Sequence, residues 1–553
     1  MSRFGAREVV LGAAVSLLAL FVFVPLGALF LQLTPDALAV VARPLERSAA
    51  LSTFLLSVGT TLTALVLGLP MGVLLARTDL PGARIFRVLV TLPWVVPPYV
   101  GAIGWLLLTN PTTGWLNVPL KAVGLPALDP YNLWGMVWVM GLEATPLVAL
   151  ATADALSRMD ASLEEQARIA GCSPVQAVVR VTLPLVAPSV LAAAGFVASG
   201  AAAAYGVPYL LASGSSRPTW VLTTRIAQQL DLDPASGRPV AVALSLVLLA
   251  IGVGLPALLA LWIRGRNFTT VRGKVVRPAP LRLGAFRPVA VGAMVSFVVI
   301  GSALPLSALL VASVSKNVGR GLVSENLTLE HYASAMTGGA AAAFGRSFLL
   351  AGGAATGAVL LGALIAYLEQ RTNLRGRGAV ATSARLPYAV PGTVLALALL
   401  LAWSQEVRLV VLDRVSFVLA LSDTLWMLGL AYLVKFLALP VGQVGAALRS
   451  VDVSLEEAAR VAGAGWLRAA GGVTFRLLLP ALVSTWILVF LPSFSEVTMS
   501  VLLSGPRTRV VGAMLFDLQT YGDPPAAAAL AVLVTVVVVA GQALGRRLQP
   551  EQV

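Results

Sequence analysis

The chain has 553 residues, 58% hydrophobic and only 12% charged, with a mean hydropathy of +0.88. A soluble domain carries about 25% charged residues, so the composition excludes an ordinary soluble enzyme and makes lipid the solvent. The net charge of +14 needs no nucleic-acid partner, because basic residues gather on the cytoplasmic side of membrane proteins. One cysteine, Cys172, and one histidine, His331, exclude an intrachain disulfide and a histidine-built metal centre.

The first apolar run, Val9 to Leu33, follows Arg3 and Arg7. It is longer than the core of a cleaved signal peptide, so it reads as a retained span. In chain order, twelve spans are expected near 9–33, 51–76, 86–109, 131–156, 188–212, 239–263, 289–314, 347–369, 386–404, 422–448, 480–503 and 525–545. Each is long enough, at about 20 residues, to cross the hydrocarbon as a helix. No run of short alternating strands suggests a barrel. With the N-terminus inside, the inner segments hold 25 Lys and Arg and the outer loops 11. That bias predicts N- and C-termini in the cytoplasm. Trp134 and Trp138 sit where a helix should cross the interface.

Residues 264–288, rich in Arg, Pro and Gly, read as a cytoplasmic linker between halves 1–263 and 289–553, each with six spans. An even number of spans makes the halves a parallel repeat. The repeat is visible in sequence. Arg77-Thr-Asp-Leu-Pro-Gly matches Arg371-Thr-Asn-Leu-Arg-Gly, and Leu92-Pro-Trp-Val-Val-Pro97 matches Leu386-Pro-Tyr-Ala-Val-Pro391, both at an offset of 294. The best match lies in two polar loops, 157–187 and 449–479. Ser162-Leu-Glu-Glu-Gln-Ala-Arg-Ile-Ala-Gly171 corresponds to Ser454-Leu-Glu-Glu-Ala-Ala-Arg-Val-Ala-Gly463 at an offset of 292. Packing in lipid does not explain likeness in loops that touch no lipid.

Ser162 with Glu165, and Ser454 with Glu457, have capping-box spacing, which predicts a helix start. Gly171 and Gly463 predict a turn at its end. Each unit therefore reads as a short helix, a turn and a second helix. The plainer reading, a mere connector, is weakened by the second copy and by an aspartate ahead of each (Asp160, Asp452).

These segments resemble the EAA loop of ABC importer permeases, and the resemblance covers nearly the whole chain. It implies an all-α polytopic membrane protein of about twelve helices in two six-helix repeats, in the bacterial plasma (inner) membrane. It implies that Glu164, Glu165, Ala167 and Gly171, with Glu456, Glu457, Ala459 and Gly463, form two sites docking two copies of a nucleotide-binding subunit. Glu165 and Glu457 would make the charged contacts. ATP and Mg would be used by those subunits, and a periplasmic or surface binding protein would deliver the solute. The first loop keeps Leu183-Pro184, whereas the second has Phe475-Arg476 and its proline only at Pro480. Two docking sites with unequal mechanics are expected.

No phosphate-binding G-x-x-x-x-G-K-[ST] loop occurs; Gly273-Lys274 is followed by Val275. No H-E-x-x-H or G-x-S-x-G motif occurs either, so no catalytic site is read. Ionisable groups inside spans are costly and functional by default. Glu143 and Lys435 fall near the middles of spans four and ten, and Glu496 falls in span eleven. They are candidates for the translocation path, Glu143 and Lys435 as a pair; a purely structural role is the alternative. His331 reads as solvated and Cys172 as a small residue. Tyr205-Gly-Val-Pro-Tyr-Leu-Leu and Glu496-Val-Thr-Met-Ser-Val-Leu-Leu resemble ferric-iron permeases, with thiamine permeases the nearest competitor. A secondary transporter with parallel repeats is the alternative class.

Overall fold

The computed structural model describes residues 6–548 except 161, 233, 265–279, 321–322, 405–406, 412–414 and 420. Most of the expected linker, 264–288, lies outside the described residues. Among the described residues the fold is helical apart from one antiparallel hairpin, Val407–Val411 with Val415–Leu419. Among the described residues eight helices are long and apolar enough to cross a membrane, and the count is up to twelve with each of four bent helix pairs taken as one span.

Those twelve are span 1 (Val10–Leu31), span 2 (Pro44–Arg77), span 3 (Ala83–Val95 with Pro98–Thr109), span 4 (Leu133–Ser157), span 5 (Val178–Ala203) and span 6 (Gly237–Trp262). Then follow span 7 (Gly284–Ser313), span 8 (Gly338–Arg371), span 9 (Arg377–Ala389 with Gly392–Trp403), span 10 (Leu425–Phe436 with Ala438–Ser450), span 11 (Ala470–Leu477 with Leu479–Phe494) and span 12 (Pro524–Arg547).

Local chemistry sets the ends and the breaks. The Asn132 side chain caps span 4 by accepting from the Gly135 N–H, and Thr424 caps span 10 by accepting from the Met427 N–H. Trp134 and Trp426, two residues past each cap, are 73% and 79% exposed, the position of interfacial anchors. Spans 3 and 9 bend by 90° and 110° where the two proline motifs end, at Pro97 and Pro391. Proline lacks the N–H that would continue the helix and biases the residue before it to extended backbone. Each of these two is thus a slanted segment joined to a 12-residue apolar helix. That helix is about 18 Å long, shorter than the hydrocarbon core.

Two compact units are present, and they do not follow the sequence halves. One contains residues 1–40, 229–243 and 330–553; the other contains 41–228 and 244–329. Span 1 thus packs within the unit of the later spans, where Phe21 meets Trp403 at 6.1 Å between ring centroids. Span 7 packs within the unit of the earlier ones. There a Cβ on Gly104 would lie 2.4 Å from the Pro305 carbonyl oxygen, so only glycine permits the approach.

In the second of these units span 2 lies against span 4. Gly68 and Gly72 bring the backbones together, since added Cβ atoms would stand 2.9 Å from the Thr145 oxygen and 2.6 Å from the Ala149 oxygen. Small residues one turn apart are the usual means of close helix approach in lipid. In the other unit Gly362, the repeat partner of Gly68, meets Pro440 of span 10.

Candidate functional site

The two polar loops fold alike. Ser162–Ile169 and Ser454–Val461 are short helices. Asp160 accepts the Ser162 N–H at 3.0 Å and Asp452 accepts the Ser454 N–H at 2.9 Å. The second helix has Val453 at its cap position with no side-chain bond. In the second helix the expected serine–glutamate box is replaced by the upstream aspartate, whose carboxylate accepts the Ser454 N–H. N–H donation from Ser454, helped by Arg371, holds the Asp452 carboxyl below its ordinary 3.8.

Both helices end in the same six-residue lock. Gly171 and Gly463 adopt φ of +93° and +88°. The Gly171 N–H bonds the Arg168 carbonyl and the Cys172 N–H bonds the Ala167 carbonyl; Gly463 and Ala464 do the same with Arg460 and Ala459. This is a Schellman end, which needs a left-handed residue and favours glycine.

The two glutamates of each loop point different ways. Glu164 forms an ion pair with Arg77, the last residue of span 2, and accepts from the Thr182 hydroxyl. Glu456 accepts from the Tyr367 hydroxyl at 2.7 Å and from Thr474, with Arg371 at 4.0 Å. Arg77 and Arg371 are repeat partners, as are Thr182 and Thr474. The first glutamate therefore clamps the loop to its own half. Glu165 and Glu457 are exposed instead. Beside them Ile169 and Val461, again repeat partners, are 87% and 90% exposed. Each loop offers the same outward face, a carboxylate with an aliphatic residue one turn on.

Sequence reasoning grouped Glu164 and Glu456 with the outward residues and gave Arg77, Arg371, Thr182, Thr474 and Tyr367 no role. The signal was present: the arginines and threonines lie inside the matched segments.

Leaving the loops, both chains pass through a five-residue π-helical turn, Val178–Thr182 and Ala470–Thr474. Beyond it they diverge. Span 5 runs on through Leu183-Pro184 unbroken to Ala203, whereas span 11 breaks after Leu477 and turns by 65°. Proline alone does not set the difference, since span 5 runs unbroken through both Pro184 and Pro188. In span 5 Pro184 follows the π turn directly; in span 11 Pro480 comes later and opens a new helix.

Next to the loop of the first half, the described C-terminal end of the linker is fastened to the end of span 2. Leu281 exchanges backbone hydrogen bonds with Arg77 and Asp79, and Asp79 accepts the Leu283 N–H and pairs with Arg287 at 2.9 Å. The Leu283 N–H, with Arg287, lowers the Asp79 carboxyl below its ordinary range.

Glu143 and Lys435 stand equally far past the caps Asn132 and Thr424, and so occupy equivalent positions. Lys435 donates to the carbonyls of Tyr388 and Val390 at the bend of span 9, at 3.2 and 2.5 Å, and lies in the field of Glu496. Glu143 belongs to the other unit. Its Oε1 is buried without a hydrogen-bond partner among the described residues, against Gly101. Glu496 lies beyond the end of the helix Leu479–Phe494 rather than within it. Its carboxylate accepts the Met499 and Ser500 N–H groups, both at 2.9 Å, and so caps the next helix, Thr498–Leu503.

Two stretches, residues 68–268 and 358–552, each match the family of binding-protein-dependent transport system inner membrane components. The chain belongs to this family. Each match contains one of the two loops, so the doubled loop reflects a doubled family domain. A ferric transport system permease protein, FbpB, of Actinobacillus pleuropneumoniae is 25% identical over 519 residues, 90% of this chain and 70% of the relative. A probable ABC transporter permease of Sinorhizobium fredii is 26% identical over 91% of this chain and 87% of its own length. A probable molybdenum ABC transporter permease of Haloferax volcanii is 31% identical over 43% of this chain and 83% of its own length. The chain is a fused, multi-pass inner-membrane permease of the ABC importer class. Membership in a binding-protein-dependent family removes the secondary-transporter alternative.

Proposed function

We propose that this permease carries ferric iron, delivered by a solute-binding protein, into the cytoplasm by alternating access. Two copies of an ATPase subunit drive it, one on each loop, and ATP and Mg act there. The observation that carries the docking assignment is the repeated outward face, Glu165 with Ile169 and Glu457 with Val461, held on a loop whose other glutamate is clamped inward. N- and C-termini in the cytoplasm are supported by the 25-to-11 distribution of basic residues. Glu143, Lys435 and Glu496 are assigned to the translocation path because ionisable groups at such depth are costly without a role.

Iron as cargo is supported by relatives named ferric permeases that align over most of the chain, including two from Haemophilus influenzae. A second reading, molybdate, is favoured by the higher identity of the shorter Haloferax relative. Uptake into proteoliposomes containing the permease, its ATPase and its binding protein separates them. ATP-dependent accumulation of labelled ferric iron supports the first reading, and accumulation of molybdate alone refutes it.

A further inference from the structure

Between spans 3 and 4 the chain makes an apolar loop that is too short to cross a membrane. Residues 118–128 read V-P-L-K-A-V-G-L-P-A-L, with Lys121 their one charge. The loop precedes span 4 and the first polar loop follows it, so the two lie at opposite ends of a 25-residue helix, about 37 Å long. Val118, Val123, Leu125 and Leu128 are between 46% and 70% exposed. Loops in water are polar, and a contiguous exposed apolar patch marks a surface that something covers.

The loop is held at a fixed level by one buried side chain. Asn117 donates to the Thr109 and Asn110 carbonyls, at the end of span 3, at 2.9 and 3.0 Å. It also donates to the Leu128 carbonyl at 2.9 Å and accepts the Leu128 N–H at 2.7 Å. Asn132, the cap of span 4, donates to the Asp129 carbonyl at 2.8 Å. Both ends of the loop are thus tied to the ends of spans 3 and 4. Trp115 adds a link to the segment after span 7, donating to the Val318 carbonyl at 3.4 Å.

The backbone satisfies itself. The helix Asn117–Ala122 closes at Gly124, φ +75°, where the Gly124 N–H bonds the Lys121 carbonyl and the Leu125 N–H bonds the Leu120 carbonyl. The Val123 N–H bonds the Pro119 carbonyl, and Pro126 has no N–H. Residues 123–126 therefore present no unpaired N–H, which is the condition lipid imposes on a backbone. The Lys121 ammonium turns back to the Pro111 carbonyl at 2.5 Å.

We propose that residues 118–128 form an interfacial anchor, their aliphatic side chains laid into the lipid leaflet at the end of span 4 opposite the first polar loop. Three observations select lipid as the occupant. The patch leads onto Trp134 and Trp138, exposed at the start of span 4, where indole rings mark a membrane surface. A protein partner's contact surface carries a polar rim, and this loop has one charge, held by its own backbone. The second half has the same character in a different structure. Between spans 9 and 10 the hairpin register places Val407, Leu409 and Val411 on one face with Val415, Phe417 and Leu419. An apolar face at this position is common to a helix and a hairpin, so it answers to the surroundings rather than to the local fold. Through Asn117 and Trp115 the anchor couples the ends of spans 3, 4 and 7 to the bilayer surface.

The test places a nitrobenzoxadiazole label on Val118→Cys or Val123→Cys, each combined with Cys172→Ser, in the full-length permease in phospholipid nanodiscs. Ile169→Cys, exposed on the first polar loop, is the aqueous reference. At both test positions emission shifts to the blue of the reference, nitroxide-labelled lipid quenches severalfold more strongly, and iodide quenches severalfold less. Emission and quenching equal to the reference at both positions overturn the proposal. A label that is aqueous in the permease alone and becomes shielded when the solute-binding protein is added also overturns it, since that assigns the face to a protein. The replaced valines are exposed, so the melting temperature of each variant stays that of the wild type.

Discussion

Arg77, the last residue of span 2, holds Glu164 of the first polar loop in a buried ion pair. The arginine is only 4% exposed. A buried charge whose partner is removed costs roughly 3–5 kcal/mol, because the remaining charge stays desolvated. The pair therefore makes the loop move with span 2. Force applied to the loop from outside is passed to a helix about 50 Å long, which at 34 residues spans the membrane and more.

Arg77→Ala is expected to lower stability by about 3 kcal/mol, and Glu164→Gln by less, since the amide still accepts from Thr182. The double variant should be less damaging than the two single effects summed, by about 1–3 kcal/mol. A thermal double-mutant cycle checks this. Complexes of Glu164→Gln should still contain the ATPase subunit while turning ATP over with reduced transport.

Gly463→Ala places a Cβ at φ +88°, a conformation that costs roughly 1–2 kcal/mol for an L-residue. The loop helix should fray from its C-terminal end, and Gly171→Ala should behave alike. Hydrogen exchange at Ala464 and Cys172, whose N–H groups close the two locks, would rise severalfold in the affected loop alone.

Gly72→Ala forces a Cβ to within 2.6 Å of the Ala149 carbonyl oxygen. Because the neighbour is backbone, spans 2 and 4 must part, at a cost of about 1–3 kcal/mol. Gly353→Ala, where nothing stands within 4 Å, should be neutral by the same melting assay.

Asp452 caps the second loop as a carboxylate with a lowered pKa. A depressed carboxyl stabilises the fold above its unfolded value, and the contribution is lost as the pH falls through the folded value. Protection of the Ser454 N–H, taken relative to its intrinsic exchange rate at each pH, should therefore be constant through neutral pH and fall only below the ordinary aspartate range. Asp452→Asn should remove that acid dependence.

How much of this was legible in sequence follows from what each residue faces. The twelve spans and the loop helices were readable because hydropathy and the S-L-E-E-x-A-R repeat are local signals. The bends of spans 3 and 9 were signalled by their paired prolines, but not their angles, which depend on packing. The opposite duties of Glu164 and Glu165 were hidden, since adjacent residues on a helix point about 100° apart and only the position of Arg77 decides which is covered. The place of span 1 beside Trp403 was hidden for the same reason: it is a contact nearly four hundred residues long in sequence. The inequality of the loops was foreseen from Phe475-Arg476, and it appears as the 65° bend of span 11.

The central claim is that Glu165 and Glu457, with Ile169 and Val461, form two equivalent docking faces for the ATPase. The most direct measurement is the ATPase-to-permease ratio of the purified complex, determined by native mass spectrometry. The wild type should carry two copies, Glu165→Arg or Glu457→Arg alone one, and both together none, with the permease still folded. Two copies retained by the double variant would contradict the account.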